Sequence, residues 1–556
     1  MKKAARLLSL VLCVLLTFTL IAGCSKSKDE PSQKQEATSS ADGTSTDKSS
    51  SEPVEVQLTM FEWGWEGPEE GKDEIAPEIE KRTGVKINLH RWIITSEEDQ
   101  KRQLSLWASS NDFPEVLCIP TNTYCIEMMN QLGDAGKLWE VDGIVEKIIP
   151  EAQEMLMNSM EYYKNQKSGK KYIYPTQNND YDAMIAMDNI AQEGIIIRKE
   201  WLERLGVGYP QTTDELYEVL KRFKNEIKTF NGQPVIPVLL GENMAGIDQF
   251  AKMFFDLSDR MCQYFTLFRK LPDGTYTNAL DQEKLERFLV YMNRLYREGL
   301  MDREVATIKD SQYQEKMNSG RVGASGVAWW NMNTYNDNIR TIDPEAFYAF
   351  MPIPKAEGVT TPVQQYIVPG APCAFVFSKS MDQAKFDKVT DMFAYMATQE
   401  GLILSWFGLE GIHWEKNAEG KIKFTQKFLD ETNGGDWNKG AHRGVGYYVG
   451  LAPKVGVIDP IIEPYEYLSR FDVVESRKNL QGTIFKADEP QDLIPPGPIQ
   501  SKKLPAISSQ FNELIIKAVI ASSEDECRRV VQEWPATWER LGGNEIAAEK
   551  TEFMKN

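Results

Sequence analysis

The stretch "EGIIIRKEWLERLGVGYPQTTDELYEVLKRFKNEI", residues 193–227, decides the fold. Its opening, with Ile195, Ile196 and Ile197 in a row, reads as a strand feeding a helix that closes at Gly206. After a proline-containing loop a second helix begins. Thr212 and Glu215 have capping-box spacing, and Leu216, Val219, Leu220, Phe223 and Ile227 form one apolar stripe. Strand, helix, loop and helix in succession imply α/β layers.

The pattern extends in both directions. Upstream, "VEVQLTMFEW" alternates Val54, Val56, Leu58 and Met60 against Glu55, Gln57 and Thr59, which predicts a strand. A short helix closing at Gly84, a strand "VKINLHRW", a helix "DQKRQLSLWASS" and a buried strand "FPEVLCIP" follow. This order implies a largely parallel sheet. Downstream come a strand "QPVIPVLL", a helix ending at Gly299, a strand "GRVGASGVAWW", a strand "CAFVFSKS" and the helix after it. The chain ends in helices, with Pro535 placed to kink or restart the last one. Two α/β blocks result, joined through "YIYPTQNNDYD" and "QQYIVPGAPCAF", where Pro175, Pro369, Gly370 and Pro372 suit a hinge. The expected division is a first lobe of residues 54–182 and 369–460, and a second of 183–368 and 461–556.

The N-terminus addresses the chain outward. Lys2, Lys3 and Arg6 precede an apolar run from Leu7 to Ile21, the form of an export signal. The run closes in "LIAGC", which resembles the lipobox of bacterial lipoproteins, with Ile21 where leucine is commoner. That resemblance implies a signal peptide of residues 1–23 and a diacylglyceryl group on Cys24, holding the protein on the outer face of the cell membrane. Residues 25–53 contain no Val, Ile, Leu or aromatic residue, so 24–53 are expected to form a disordered, lipid-anchored leash.

Removing Lys2, Lys3 and Arg6 takes the formal charge from −19 to −22. Such a balance disfavours nucleic acid and argues against a polyanionic ligand. Cys118, Cys125, Cys262, Cys373 and Cys527 are odd in number and scattered, without CxxC. They suit buried free thiols, with a Cys118–Cys125 bridge the alternative in an oxidising exterior. No GxSxG, HExxH, Walker loop or GxGxxG occurs. His90, His413 and His442 read as structural or surface residues.

The order lipobox, Ser-rich leash, "LTMFEWGW", "FPEVLCIP", "IIIRKEWLERLGVGYPQTTDELYEVLKRFK", "NSGRVGASG", "GLEGIHWEKNAEGKI" and "TWERLGGNEIAAEK" resembles the large lipoprotein branch of the family 1 extracellular solute-binding proteins. These are carbohydrate receptors of bacterial ABC importers. The resemblance implies a two-lobed α/β fold of the type II periplasmic-binding-protein kind, with the ligand in a cleft between lobes. It also implies a carbohydrate, in particular an oligosaccharide, as ligand, membrane permease subunits as partners, and a monomer without cofactor or catalysis. Many relatives carry an EF-hand-type loop where this chain reads "KNEIKTFNGQPVIP"; Glu226, Thr229, Asn231 and Gln233 are too few donors for calcium, so no metal is expected there.

An aromatic plate beneath the apolar face of a sugar, with amides and charges at its rim, suits such a ligand. Trp63, Trp65, Tyr181, Trp330, Trp414, Trp437 and Tyr447 stand in polar or glycine-rich surroundings, with Glu66, Asn178, Asn179, Asp180, Asp182, Asn331 and Arg443 nearby. Each aromatic serves either the ligand or ordinary packing. In the pair Trp329–Trp330, strand alternation would send Trp329 inward and Trp330 to the cleft. A glycoside hydrolase and a receptor for another solute, such as a peptide, are the rival functions; an eight-unit barrel would have marked the former.

Overall fold

The computed structural model describes residues 52–553 apart from 63–65, 95–96, 111, 166, 177–192, 260–267, 272, 279, 368–372, 433–436, 452–470 and 487–496. The expectations for the signal peptide, Cys24, the leash, Cys262 and the hinge residues Pro369, Gly370 and Pro372 lie outside the described residues.

Two sheets carry the chain. In sequence order their strands are β1 (Val54–Glu62), β2 (Val85–Ile93), β3 (Val116–Pro120), β4 (Tyr174–Thr176), β5 (Glu193–Arg198), β6 (Ile236–Val238), β7 (Val322–Ala328), β8 (Tyr348–Phe350) and, after a short strand β9 (Gln365–Ile367), β10 (Cys373–Phe377). The first sheet has the order β2-β1-β3-β10-β4 and the second β8-β5-β7-β6. The central strands read as unbroken apolar runs because helices cover both faces: β3, β7 and β10 are buried throughout.

Neither sheet is largely parallel, which corrects the sequence reading. β1 runs parallel to β2 and β3, whereas β10 is antiparallel to β3 and β4. In the second sheet β7 is parallel to β6, while β5 is antiparallel to β7 and β8. The odd strand is in each case the one by which the chain enters that sheet from the other. Cys373, the first residue of β10, lies opposite both Pro120 and Thr176, the last residues of β3 and β4. Glu193, the first residue of β5, lies opposite Ala328, the last of β7. Each sheet therefore has one edge at which its other strands end and its entering strand begins. The stretches 177–192 and 368–372 attach at these joining edges.

Two separate apolar cores correspond to the two sheets. One gathers Leu58, Leu117, Ile119, Tyr174, Phe375 and Phe393; the other Ile196, Trp201, Leu220, Phe288, Tyr348, Phe511 and Trp534. In the second core the Arg198 guanidinium is fully buried, stacked 4.5 Å over Trp201 and 4.6 Å over Phe230 and paired with Glu200. The C-terminal segment joins this core, and its helix restarts at Trp534–Arg540 with Pro535 in the first turn, as its missing N–H requires.

One further local expectation is corrected, the closed capping box, while for Cys118 and Cys125 the reading as buried free thiols holds over the alternative bridge. Thr212 caps its helix by accepting from Glu215 N at 3.1 Å, but Glu215 reaches back to Gln211 N at 2.7 Å instead of closing the box. The stretch 224–237 forms one π-helical turn and a two-residue hairpin, Thr229–Phe230 with Gln233–Pro234, turning on Asn231 (φ 47°) and Gly232 (φ 75°). Its carboxylate, Glu226, is held by both Nε and an amino group of Arg222 at 2.7 and 3.0 Å. Cys118 and Cys125 are free and buried, so the bridge is not formed. Cys125 accepts from Gln100 Nε2 at 3.1 Å, whereas Cys118 on β3 faces Cys373 of the neighbouring strand.

The small residues of β7 have a steric role. A Cβ on Gly326 would lie 2.1 Å from the carbonyl oxygen of Gly246, and one on Gly246 (φ 87°) 2.3 Å from that of Gly326. Two backbones touch here at the joining edge. Gly326→Ala should therefore lower stability by about 1–3 kcal/mol through overpacking. Urea denaturation measures this; an unchanged midpoint would show that the two segments separate freely.

Candidate functional site

In open α/β sheets ligands bind beyond the carboxyl ends of the strands, which here is the joining edge. β1 brings Glu62 to that edge of the first sheet. The residue is only 2% exposed, and its carboxylate takes a two-pronged contact from Arg91, Nε to Oε1 at 2.6 Å and an amino group to Oε2 at 2.7 Å. The Tyr447 hydroxyl donates to Oε1 at 3.0 Å. Tyr447 is itself buried, and burial beside Glu62 pushes its phenol well above the usual range. It is a support for Glu62, not an open plate.

Glu66, Glu69, Asp73 and Glu74, beyond β1, are clasped by His442, Arg443 and Tyr448, with Glu431 behind them. Glu66 meets His442 Nε2 at 2.6 Å, while the other ring nitrogen is 3.1 Å from Glu69. Arg443 bridges Glu74 (2.6 Å) and Glu431 (2.7 Å), and the Tyr448 hydroxyl donates to Asp73 at 2.5 Å. The guanidinium holds the Glu74 carboxyl below its ordinary value against the opposing effect of burial. Behind this clasp His413 is wholly buried; its Nδ1 accepts from Leu409 N at 2.9 Å and its Nε2 lies 3.2 Å from Glu74. Burial, reinforced by the positive charge of Arg443, lowers its pKa to about 4.

On the second sheet the Trp329–Trp330 pair is not in a strand. β7 ends at Ala328, and the helix Trp329–Arg340 begins at the first tryptophan. The two rings diverge by the helical turn, meeting edge to face at 5.8 Å and 83°. Trp329 packs half-buried against the core, while Trp330 is 49% exposed, with Asn331 half-buried beside it. Both sit where β7 delivers them, at the joining edge.

Beneath that edge lies a buried polar network that sequence reasoning missed. Gln249 Nε2 donates to Glu193 Oε2 at 2.8 Å, and Lys252 Nζ donates to Gln249 Oε1 (2.8 Å) and the Gln364 carbonyl (2.7 Å). Gln364 Nε2 returns a bond of 2.6 Å to the Glu193 carbonyl. Glu193 and Gln364 flank the stretches that lead to the first sheet, so this network fixes both where they enter the second. The only local signal was a set of polar residues in the apolar "IDQFAKMFF".

Among the residues singled out from sequence, Glu66, Arg443 and Tyr447 are brought together on the first sheet, and Trp330 and Asn331 on the second. Trp414 is a correction: it is 7% exposed, packs with Leu402, Phe407 and Ile422, and spends its indole N–H on the Gly408 carbonyl at 3.0 Å. Arg443 is already committed to two carboxylates, so it braces a loop. Trp63, Trp65, Asn178, Asn179, Asp180, Tyr181 and Asp182 lie outside the described residues, as does the side chain of Trp437.

Comparison with known proteins agrees with this architecture. The model of the bacterial extracellular solute-binding protein family matches residues 65–402, more than half of the chain. The chain belongs to this family, whose members are receptors and not enzymes. The polygalacturonan/rhamnogalacturonan-binding protein YtcQ of Bacillus subtilis is 23% identical over 66% of this chain and 67% of its own. The fructooligosaccharide ABC transporter substrate-binding protein FusA of Streptococcus pneumoniae is 25% identical over 48% of each chain, about half its length. A solved HMO-binding, ABC-transporter-associated solute-binding protein of Bifidobacterium longum infantis superposes with TM-score 0.66 at 16% identity, covering 90% of this chain and 98% of that one. That likeness establishes the two-lobed fold.

The clasp carries a pH signature. His413 binds its proton less readily folded (about 4) than unfolded, where a histidine titrates near ~6.5. The unfolded state thus holds more protons between these values, so stability is full above the unfolded pKa and falls as pH drops through the window. His413→Gln should show a shallower loss of melting temperature between neutral pH and the acid end of that window. Parallel curves for the two proteins would refute the assignment.

Proposed function

We propose that this chain is a lipid-anchored extracellular receptor that captures an oligosaccharide and hands it to the permease of an ABC importer. The observation that carries the reading is Trp330: a large ring left 49% exposed at the joining edge, next to an amide, in a member of a solute-binding family. An exposed indole with polar neighbours matches a sugar's apolar face and hydroxyl rim. The binding capacities carried in the names of the relatives YtcQ and FusA support a carbohydrate ligand. The lobes would be residues 54–182 with 369–460, and 183–368 with 461–556, closing about the joining stretches with the Gln249–Lys252–Gln364 network as a fixed foot. Trp63, Trp65, Asn179, Tyr181, Asp182 and Trp437 remain proposed contacts on sequence grounds, and Glu66 a rim residue. Cys24 would carry the anchor, and the 29-residue leash after it would let the body range roughly 30 Å from the membrane.

Trp330→Ala should weaken oligosaccharide binding roughly thirtyfold, the effect of losing an aromatic anchor worth about 2 kcal/mol. Stability should be nearly unchanged, because the ring is half in solvent. Trp329→Ala should cost stability, but less than the ~3–5 kcal/mol of a fully buried tryptophan. Titration calorimetry with the best ligand from an oligosaccharide screen decides it: wild-type affinity in Trp330→Ala removes this ring from the site.

In the cell, Cys24→Ala should shed the protein into the medium or leave it unprocessed. Fractionation and electrophoretic mobility read this out; normal membrane retention with unchanged mobility would place the anchor elsewhere.

A further inference from the structure

β2 is the outermost strand of the first sheet. Its register with β1, Gln57 opposite Asn88, and the alternation of strand side chains set Gln57, His90 and Trp92 on one face. The helix Glu97–Ser109 lies against that face, and its Gln103 and Trp107, four residues apart, share one side of the helix. Close packing is the rule where a helix rests on a sheet. Here the two buried indoles meet edge to face, ring centres 5.0 Å apart at 73°, and His90 meets Trp107 in the same way at 6.4 Å and 74°. Beside these rings the helix and strands leave a cavity of about 350 Å³, within the ~300–1,000 Å³ of small-ligand pockets.

Trp92, Trp107 and the exposed Ile93 give the cavity an apolar side; Gln57, Gln103, His90 and Asp112 give it a polar one. The two amides both donate and accept, and the Asp112 carboxylate accepts. The His90 ring is steadied from below, its Nδ1 3.4 Å from Thr59 Oγ1. The segment carrying Asp112 is tied to β1 where Glu115 accepts from the Gln57 main-chain N–H at 2.9 Å, and Lys385 Nζ donates to the same carboxylate at 2.5 Å. Walls held in this way need little ordering when a ligand arrives.

We propose that this cavity is a second carbohydrate site, which takes one sugar ring on the flank of the first sheet. A pyranose has an apolar C–H face for the indole side and a rim of hydroxyls for the amides, imidazole and carboxylate around it. The cavity lies on the first sheet, apart from Trp330 on the second, so it can fill whether or not the joining edge binds an oligosaccharide.

Fluorine NMR of the full chain labelled with fluorotryptophan tests this. The signals of Trp92 and Trp107 are assigned by their loss in Trp92→Phe and Trp107→Phe, then followed as methyl glycosides of glucose, galactose, mannose and xylose are added. At least one glycoside should shift both signals to saturation, in the wild type and in Trp330→Ala alike. Gln103→Leu should weaken that binding roughly tenfold, the loss of one hydrogen bond. Gln57→Leu, at an exposed position of β1 that is not needed for folding of the core, should do the same. Glycosides that move neither signal, or shifts that survive both substitutions at full strength, would overturn the flank site and leave the receptor function untouched. Shifts lost in Trp330→Ala would assign the ring to the joining edge and overturn it as well.

Discussion

The architecture depends on one constraint: each sheet must take the chain back at the edge where its other strands end. Cys373 between Pro120 and Thr176, and Glu193 opposite Ala328, are the two points where this happens. An entering strand that begins at such an edge has to run against its neighbours, so both sheets are mixed. The same constraint puts the described residues that flank 177–192 and 368–372 on the sides of the sheets where strand ends leave backbone and side chains available to a ligand. The foot of each connection is stiffened by buried polar contacts: Thr176 with Cys373 in one sheet, and Gln249, Lys252 and Gln364 in the other.

The two faces of the candidate site have different characters. The first sheet presents a braced polar rim, in which nearly every charged group is held by a partner: Glu62 by Arg91 and Tyr447, Glu74 by Arg443, Glu66 by His442. Pre-formed pairing lowers the cost of ordering side chains when a ligand arrives. The second sheet presents an aromatic surface at a helix start.

The tryptophan pair shows how a small change of backbone alters a functional reading. In an extended strand Trp329 and Trp330 would project to opposite faces. As the first two residues of a helix they are turned by about 100°, so one ring packs on the core while shielding the edge of the other. Inward Trp329 and outward Trp330 survive this change, but the reason is the helical turn and not strand alternation. Trp414 shows the opposite outcome. Its polar, glycine-rich surroundings suggested exposure, yet those glycines let the chain fold back and bury the indole, which bonds the Gly408 carbonyl.

Elements whose contacts are close in sequence were legible from the sequence alone: the alternation in β1, the apolar stripe and Thr212 cap at 212–227, the stops at Gly84 and Gly299, and the restart at Pro535. Their signals are local periodicity and backbone chemistry, which act over a few residues. The α/β class and the family likeness followed from the order of such elements. Strand direction, the burial of Trp414 and Tyr447, and the approach of the free thiols Cys118 and Cys373 were decided only by tertiary structure. So was the central feature of the rim: Glu62 meets Arg91 29 positions later and Tyr447 385 positions later. No local pattern encodes such a meeting, because the three side chains come together only in the folded sheet, where the buried Glu62 carboxylate meets them in surroundings of lower dielectric than water.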